Sequence, residues 1–436
     1  MHKNYKSQQE VIEKLGIKKL NPMQLDAQKT IANENEVIIL SPTGTGKTLA
    51  FLLPLLDKLD PDCTEIQTLI LVPSRELAIQ INQVIRDMGS GFKTNAVYGG
   101  KSGSKDRMDL KHRPAILVGT PGRVADHMRR HTFTTEFIKT LVLDEFDKSL
   151  EVGFEKEMKD IISSLFNVES KILTSATQGV EIPFFVKLKQ PKTLNYLTKT
   201  LANLALKSIL SPSKDKLETL ANALSHIGNK SGIVFCNYKA SIQRLSDFLQ
   251  EKNIPHGCFY GGMDQIDRER ALIKFRNGTH RVIIATDLAA RGIDVPELNF
   301  IIHYQLPQRK EEFTHRNGRT ARMNANGTAY IIHWKDEPLP DFIPKIETEE
   351  LLDQPLPKTP DWKTIFVSGG RKDKISKGDI AGICFKKGEL KQDDLGIIEL
   401  KDDCAFVAVK TKKALQLVEK LNNTHIKKRK VRVHLI

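Results

Sequence analysis

Short, continuously apolar runs alternate with helical patterns over most of the 436-residue chain, and this alternation limits the possible fold most strongly. The runs before residue 200 are VIIL (37–40), TLILV (68–72), AILVG (115–119), TLVLD (140–144) and KILTS (171–175). Those after it are GIVFC (232–236), RVIIAT (281–286), FIIHY (300–304) and TAYIIHW (328–334). Strands that are apolar on both faces and separated by helices are typical of buried parallel sheets. The sequence therefore predicts an α/β protein with two tandem parallel-sheet domains.

A proline-rich, acidic stretch separates these domains from a different C-terminal segment. Residues 336–361 hold six prolines, eight acids and two lysines, a composition that disfavours both regular hydrogen bonding and a packed core. The last 75 residues contain the strand-like runs IFV (365–367), IIEL (397–400), CAFVAV (404–409) and VRVHL (431–435), with a helical run at 414–422. We predict domains at 1–204, 205–345 and 362–436, the last a small α+β domain, with a linker at 346–361.

Composition excludes several classes of protein. With 40% hydrophobic and 28% charged residues the chain is typical of soluble globular proteins. No apolar run reaches the ~18 residues of a membrane helix, and the polar start MHKNYKSQQE lacks a signal peptide's apolar segment. The cysteines form no CxxC pair, so neither disulfides nor a zinc site is expected: Cys63, Cys236, Cys258, Cys384 and Cys404. We therefore expect a cytoplasmic monomer without membrane association.

Positive charge is concentrated at the C-terminus. Residues 362–436 carry 18 Lys and Arg against 9 Asp and Glu, which accounts for +9 of the net charge of +14. A basic excess in one segment indicates binding to a polyanion such as nucleic acid. The alternative is a solvated lysine-rich surface that aids solubility.

The segment SPTGTGKT (41–48) follows an apolar strand and precedes the helical run LAFLLPLL. That context is the one a phosphate-binding P-loop requires, although Ser41 replaces the first glycine of the general pattern and an ordinary β–α turn is the alternative. Glycine lets backbone N–H groups surround phosphate, Lys47 would reach the β- and γ-phosphates, and Thr48 would hold Mg²⁺. The predicted cofactor-binding residues of this motif are Thr43, Gly44, Thr45, Gly46, Lys47 and Thr48.

The apolar run of LVLDEFD (141–147) ends in two carboxylates. Asp144 would hold the metal, directly or through water, and Glu145 would orient or deprotonate an attacking water. An acid-rich surface turn is the alternative, but an apolar strand leading into Asp-Glu argues against it. ATP and Mg²⁺ are therefore the predicted cofactors, with Lys47, Asp144 and Glu145 as catalytic residues.

Ten motifs stand in the order found in DEAD-box ATP-dependent RNA helicases, which the chain resembles over roughly residues 10–335. They are SPTGTGKT, PSRELA (73–78), GG (99–100), TPGR (120–123), DEFD (144–147), SAT (175–177), IVFCN (233–237), QIDR (265–268), ATDLAARGID (285–294) and HRNGRTAR (315–322). The resemblance implies two RecA-like domains that clamp ATP and single-stranded RNA. It implies an RNA-stimulated ATPase that separates short RNA duplexes.

The resemblance also implies roles for single residues. Gln24 would read adenine and Asp294 would touch ribose, while Arg319 and Arg322 would reach the γ-phosphate when the two domains close. Three residues would couple hydrolysis to strand separation: Asp147, Ser175 and Thr177. RNA phosphates would be held by Arg75, Gly100, Thr120 and Arg123 in the first domain and by Gln265, Arg268 and Thr286 in the second. Phe146 departs from the usual alanine, so the ring must pack beneath the site.

The C-terminal segment is similar to the RRM-like RNA-binding domain of bacterial DbpA-type helicases, which dock on structured ribosomal RNA. Few aromatic residues are available for base stacking, so basic residues expected on exposed loops are the predicted contacts: Arg371, Lys372, Lys374, Lys377, Lys386 and Lys387. The segment would act as a separately folding tether to large-subunit ribosomal RNA during ribosome assembly. The competing hypotheses are a DNA helicase and an RNA-binding chaperone with a vestigial nucleotide site.

Overall fold

The computed structural model describes residues 5–42, 44–100, 108, 110–151, 153–176, 181–197, 204–290, 298–320 and 327–436. The described residues up to 197 form one compact unit, and those from 204 onward form a second. None of the helices in these ranges combines the length and the apolar character of a bilayer span.

The first unit is built on a seven-stranded parallel sheet in the order β3-β4-β2-β5-β6-β1-β7. Its strands are β1 Glu36–Leu40, β2 Thr68–Leu71, β3 Thr94–Val97, β4 Ile116–Gly119, β5 Thr140–Leu143, β6 Ser170–Ser175 and β7 Lys192–Asn195. Its helices are α1 Gln8–Lys14, α2 Pro22–Asn33, α3 Lys47–Leu56, α4 Arg75–Met88, α5 Pro121–Arg129, α6 Phe146–Glu151 and α7 Glu155–Ser163. Helices α1 to α4 pack on one face of the sheet and α5 and α7 on the other, so the central strands are buried on both sides.

The second unit begins with a six-stranded parallel sheet in the order β10-β11-β9-β12-β13-β8. Its strands are β8 Leu204–Ser211, β9 Gly232–Cys236, β10 His256–Phe259, β11 Val282–Thr286, β12 Phe300–His303 and β13 Gly327–Trp334. Its helices are α8 Leu217–Ile227, α9 Lys239–Glu251, α10 Gln265–Arg276, α11 Asp287–Ala290 and α12 Lys310–Asn317. The predicted pair of RecA-like parallel-sheet domains is confirmed.

The same unit ends in a small antiparallel sheet in the order β15-β16-β14-β19. The strands are β14 Trp362–Val367, β15 Leu395–Leu400, β16 Ala405–Lys410, a short hairpin of β17 His425–Ile426 and β18 Arg429–Lys430, and β19 Val433–Leu435. Helices α13 Lys377–Lys386 and α14 Thr411–Leu421 cover one face, where Ile380 and Leu417 pack on Ile365 and Val407. The predicted α+β domain is confirmed.

The other face of this small sheet packs against the end of α10. Thr364 on β14 is fully buried there, and its hydroxyl lies 2.7 Å from that of Thr279 and accepts a hydrogen bond from Asn277 at 3.2 Å. The Trp362 ring lies beside Gly278, since a Cβ built on that glycine stands 3.4 Å from the ring. A Cβ at that distance would make an ordinary contact with the indole, so it is the left-handed φ of 72° at Gly278 that favours glycine here.

Charged pairs frame this contact. Arg276 donates two hydrogen bonds to the Glu399 carboxylate, at 2.6 and 2.8 Å, and Lys401 lies 2.7 Å from Glu269. Burial alone raises the pKa of Glu399, but the hydrogen bonds and charge of Arg276 outweigh it and the pKa is lowered. The C-terminal domain is thus packed on the second RecA-like domain.

The segment predicted as a linker is also bound along its first part. Ser208 on β8 donates to the Glu347 carbonyl at 2.9 Å and accepts from the Glu349 N–H at 2.7 Å, which extends the sheet edge. The Glu349 carboxylate pairs with Lys207 at 2.6 Å, and the Leu352 N–H donates to His226 at 3.1 Å. These contacts were not predictable from composition, and separate folding of the C-terminal domain stays a prediction.

Alanine substitutions at Arg276 and Glu399, singly and together, should reveal a coupling on the order of 1 kcal/mol in the free energy of unfolding. The reason is that each side chain provides the hydrogen-bond partner of the other in a largely buried contact. In a Trp334→Phe background, Trp362 is the only remaining tryptophan and its emission during urea unfolding reports on the contact. The exposed pair Lys252–Glu218 provides the control cycle and should couple by less than about 0.5 kcal/mol. Equal coupling in the two cycles would show that Arg276 and Glu399 do not hold the domains together.

Candidate functional site

The order of the first sheet brings the two halves of the predicted phosphate site together. Strands β5, β6 and β1 are neighbours, and all run in the same direction. The P-loop follows β1 and the Asp144–Glu145 pair follows β5, so both lie at the carboxyl edge of the sheet. The end of β6 lies between them, and the Ser175 carbonyl accepts the Ser41 N–H at 3.0 Å.

The P-loop backbone turns through two left-handed glycines before α3 begins. Gly44 and Gly46 both have φ of 83°, which other residues adopt only with strain. The Gln24 side chain donates to the Gly46 carbonyl at 3.3 Å, and a Cβ on Gly46 would stand 2.5 Å from that amide nitrogen. The Ser41 hydroxyl lies 2.8 Å from that of Thr45. The serine that replaces the first glycine of the motif therefore forms a hydrogen bond within the loop. Thr43 lies outside the described residues.

Lys47 is buried, with its ammonium held by backbone carbonyls. It donates to the Ser41 carbonyl and, at 3.0 Å, to that of Pro42. Burial lowers the pKa of Lys47 to about 8, although the nearby carboxylates of Glu145, Asp144 and Asp147 oppose this shift. An anion at the loop would supply a stronger partner for this cation than two carbonyl oxygens do.

The two carboxylates after β5 are buried side by side. Asp144 is 3% exposed and Glu145 is 7% exposed, and burial together with the Glu145 charge raises the pKa of Asp144 to about 6. The Thr48 hydroxyl belongs to the first turn of α3, across the same sheet edge. Carboxylate and hydroxyl oxygens are donors that Mg²⁺ prefers, and a cation would offset the repulsion between the two acids. The residues therefore fit Mg²⁺.

The residues predicted to couple hydrolysis to strand separation lie just behind this site. Asp147, in the first turn of α6, is 1% exposed, and Ser175 at the end of β6 is fully buried. Phe146 packs in the core beneath the sheet at 2% exposure, so the larger ring is accommodated as expected. Thr177 lies outside the described residues.

The other half of the same sheet edge holds the first-domain residues predicted to bind RNA. They follow β2, β3 and β4, which are neighbours in the order β3-β4-β2. Arg75 begins α4, and its guanidinium lies against Gly100, where a Cβ would approach within 2.6 Å. Thr120 and Arg123 stand at the start of α5. The residues predicted to bind phosphate and those predicted to bind RNA thus lie on one edge of the sheet, the former after β1 and β5 and the latter after β2, β3 and β4.

In the second unit, three of the predicted residues gather at the carboxyl ends of adjacent strands. Gln265 begins α10 just after β10, and Thr286 ends the neighbouring β11. Arg268 lies one turn along α10, with its guanidinium 4.6 Å from the Phe259 ring centre. Arg319 is 4% exposed just after α12. Asp294 and Arg322 lie outside the described residues, and all of these roles stay predictions.

Arg316 is a residue whose importance the sequence did not reveal. Its side chain is fully buried and donates two hydrogen bonds to Asp287, at 2.7 and 2.6 Å. It also donates to the Gln305 carbonyl and to the Asn237 side chain, each at 2.7 Å. Arg316 therefore joins the ends of β9, β11 and β12 as a structural cation, and only its place in HRNGRTAR could have drawn attention to it.

The C-terminal lysines are exposed, but not all lie on loops. Lys377 begins α13, Lys386 ends it and Lys387 caps it, so the expectation of loops is wrong for the first two. Lys374 precedes the helix in a left-handed turn. All four project from the surface of the small domain, although they divide between opposite ends of one helix.

Comparisons with known proteins match this architecture. The chain matches the DEAD/DEAH box helicase family over residues 21–182, the helicase conserved C-terminal domain over 215–324 and the DbpA RNA binding domain over 364–435. The ATP-dependent RNA helicase DbpA of Bacillus subtilis (strain 168) is 31% identical over 471 residues, covering 99% of this chain and 98% of that protein. The protein of the same name from Escherichia coli (strain K12) is 30% identical, covering 98% and 96%.

A solved structure supports the same conclusion for the helicase core. S. cerevisiae Dbp5 bound to RNA and ADP BeF3 is 26% identical with a TM-score of 0.67, covering 76% of this chain and 87% of that one. The resemblance inferred from the ten motifs and the C-terminal segment is confirmed. The chain therefore belongs to the DEAD-box ATP-dependent RNA helicases of the DbpA type.

Proposed function

We propose that this helicase uses ATP and Mg²⁺ to separate short duplexes in structured ribosomal RNA during large-subunit assembly in the cytoplasm. The observation that carries the proposal is the sheet edge of the first unit. Buried Lys47, Asp144 and Glu145 occupy one half of that edge, and Arg75 and Arg123 stand at the other half. Hydrolysis and RNA binding can therefore influence each other through the strand ends of one sheet.

The residues at this edge have separate roles in phosphate binding, water activation and metal binding. Lys47 would bind the β- and γ-phosphates, and Glu145 would orient the attacking water and accept its proton. Thr48 and Asp144 would hold Mg²⁺, which when bound neutralises phosphate charge. The intact Lys47 and Glu145 argue against a chaperone with a vestigial site.

The proposed RNA target rests on the C-terminal domain. The domain matches the DbpA RNA binding family, and its net charge of +9 suits a polyanion. Because it is packed on the second RecA-like domain through Arg276 and Thr364, RNA bound to it would lie at a fixed place relative to that domain. Such placement favours duplexes next to one recognised RNA structure.

The deciding experiment compares ATPase activation by poly-A, a ribosomal RNA hairpin fragment and DNA with the rate without nucleic acid. We expect the hairpin to activate most and DNA least. Replacing Lys374, Lys377, Lys386 and Lys387 by alanine should remove the hairpin's advantage and leave poly-A activation unchanged. Activation by DNA equal to that by RNA would favour the DNA helicase, and an unchanged hairpin preference in the lysine variant would favour a merely solubilising basic surface.

ATP binding should take up protons at alkaline pH. With its pKa lowered to about 8, Lys47 is largely neutral at pH 8.5, and a bound phosphate stabilises its charged form. We therefore expect uptake of up to about one proton per ATP at that pH. Calorimetric titrations in buffers of different ionisation enthalpy measure it. Lys47→Arg, whose side chain stays charged, should show no uptake, and persistent uptake in that variant would assign the proton to another group.

A further inference from the structure

Thr174 stands beside the predicted metal ligand without belonging to any of the ten motifs. The paired register of β5 and β6 sets Leu143 opposite Leu173, so Asp144 and Thr174 are the next residues along the two strands. Thr174 is fully buried. Its hydroxyl donates to Asp144 Oδ1 and accepts the Glu145 N–H at 3.1 Å. One hydroxyl thus contacts both acidic residues.

The second of these bonds falls on an unusual piece of backbone. Glu145 has φ of 47°, in the left-handed region that residues other than glycine seldom occupy. Asp144 and Glu145 together form the turn between β5 and α6. The Thr174 hydroxyl holds the N–H of that turn, so it fixes the backbone from which both carboxylates project.

The first bond fixes the carboxylate itself. The Thr174 hydroxyl donates to Asp144 Oδ1, and this hydrogen bond restricts rotation of the carboxylate. Ser175, the next residue along β6, accepts the Ser41 N–H through its carbonyl at 3.0 Å. The end of β6 is therefore bonded to the acidic pair on one side and to the P-loop on the other.

We propose that Thr174 is a positioning residue for catalysis. It orients Asp144 toward Mg²⁺ and holds the Asp144–Glu145 turn in a fixed position relative to the P-loop. This inference rests on the proposed use of ATP and Mg²⁺ at the site. Groups that hydrogen-bond a metal ligand from behind commonly change metal affinity or activity by about 10- to 100-fold when removed. Thr174→Val keeps the shape of the side chain and removes the hydroxyl.

The test measures binding of a fluorescent ATP analogue across a Mg²⁺ titration, together with kcat and KM. For Thr174→Val we expect at least a ~10-fold higher Mg²⁺ half-saturation and a comparable fall in kcat, with metal-free nucleotide affinity unchanged. Thr174→Ser should recover most of both losses. The matched control is Thr140→Val, a buried threonine at the opposite end of β5, which should behave as wild type.

Each result has a definite meaning. An unchanged Mg²⁺ half-saturation and kcat in Thr174→Val, or a serine variant as impaired as the valine variant, would overturn the role of Thr174. A wild-type protein whose nucleotide binding ignores Mg²⁺ would instead refute the proposed cofactor. If Thr174→Val does not fold, Thr174→Ala, which removes the hydroxyl without placing a methyl group against the carboxylate, is judged by the same thresholds.

Discussion

Replacing Glu145 by glutamine is expected to lower RNA-stimulated ATP hydrolysis by about a hundred- to ten-thousandfold, while ATP continues to bind. Glutamine matches the shape of glutamate but cannot take a proton from water at neutral pH. Glu145 is 7% exposed and follows the predicted metal ligand directly, so another base has little room to replace it. Single-turnover hydrolysis separates this loss of chemistry from any change in binding.

Two further variants show whether the loss of hydrolysis in Glu145→Gln is specific to the water-activating step. Lys47→Ala removes the cation expected at the phosphates, so it should weaken ATP binding as well as hydrolysis. Glu155→Gln, on the exposed start of α7, makes the same chemical change away from the site and should leave the rate unchanged. If Glu145→Gln hydrolysed ATP at the wild-type rate, the assignment of Glu145 as the water-activating residue would be wrong.

Arg316→Ala should destabilise the second unit by about 3–5 kcal/mol, because it removes one partner of a buried ion pair. Asp287 would lose two hydrogen bonds, and the Gln305 carbonyl and the Asn237 side chain one each. For a unit of this size the melting temperature should fall by about 10 °C. Scanning calorimetry of the full chain can resolve the transition of each unit.

Arg316→Lys distinguishes charge from geometry. Lysine retains the charge but cannot reproduce the planar fork that reaches Asp287 and Asn237 together, so we expect an intermediate loss. Arg244→Ala is the control, since Arg244 and Asp215 form an exposed pair with 62% and 52% side-chain exposure. It should change stability by less than about 0.5 kcal/mol. Equal effects of Arg316→Ala and Arg244→Ala would contradict the structural role of Arg316.

The nucleotide site was largely predictable because its residues are local in sequence. A P-loop needs a strand, two glycines and a helix start within a dozen residues, and an apolar strand ending in Asp144 and Glu145 is equally compact. Thr174 and Arg316 were not predictable in this way. Their partners lie 29 or more residues away in most cases, and a single threonine or arginine carries no local pattern.

The interior strands were predictable from the sequence, whereas the edge strands were not. All nine apolar runs correspond to interior strands, and the strands without such a run are β3, β7, β10 and β8, which form the four edges of the two large sheets. An edge strand is covered incompletely, so it mixes polar and apolar residues, as in TNAV or HGCF. The continuous apolar signal is therefore a signal of burial on both faces.

The sequence by itself determined the two parallel-sheet domains, the P-loop with its acidic pair, and the basic α+β domain at the C-terminus. Each of these depends on periodicity, strand ends or charge within short segments. Only the tertiary structure decided that Thr174 binds the acidic turn, that Arg316 is buried, and that Thr364 and Glu399 dock the C-terminal domain on α10. Those contacts join residues far apart in the chain, and side chains that meet only after folding leave no periodic or compositional trace.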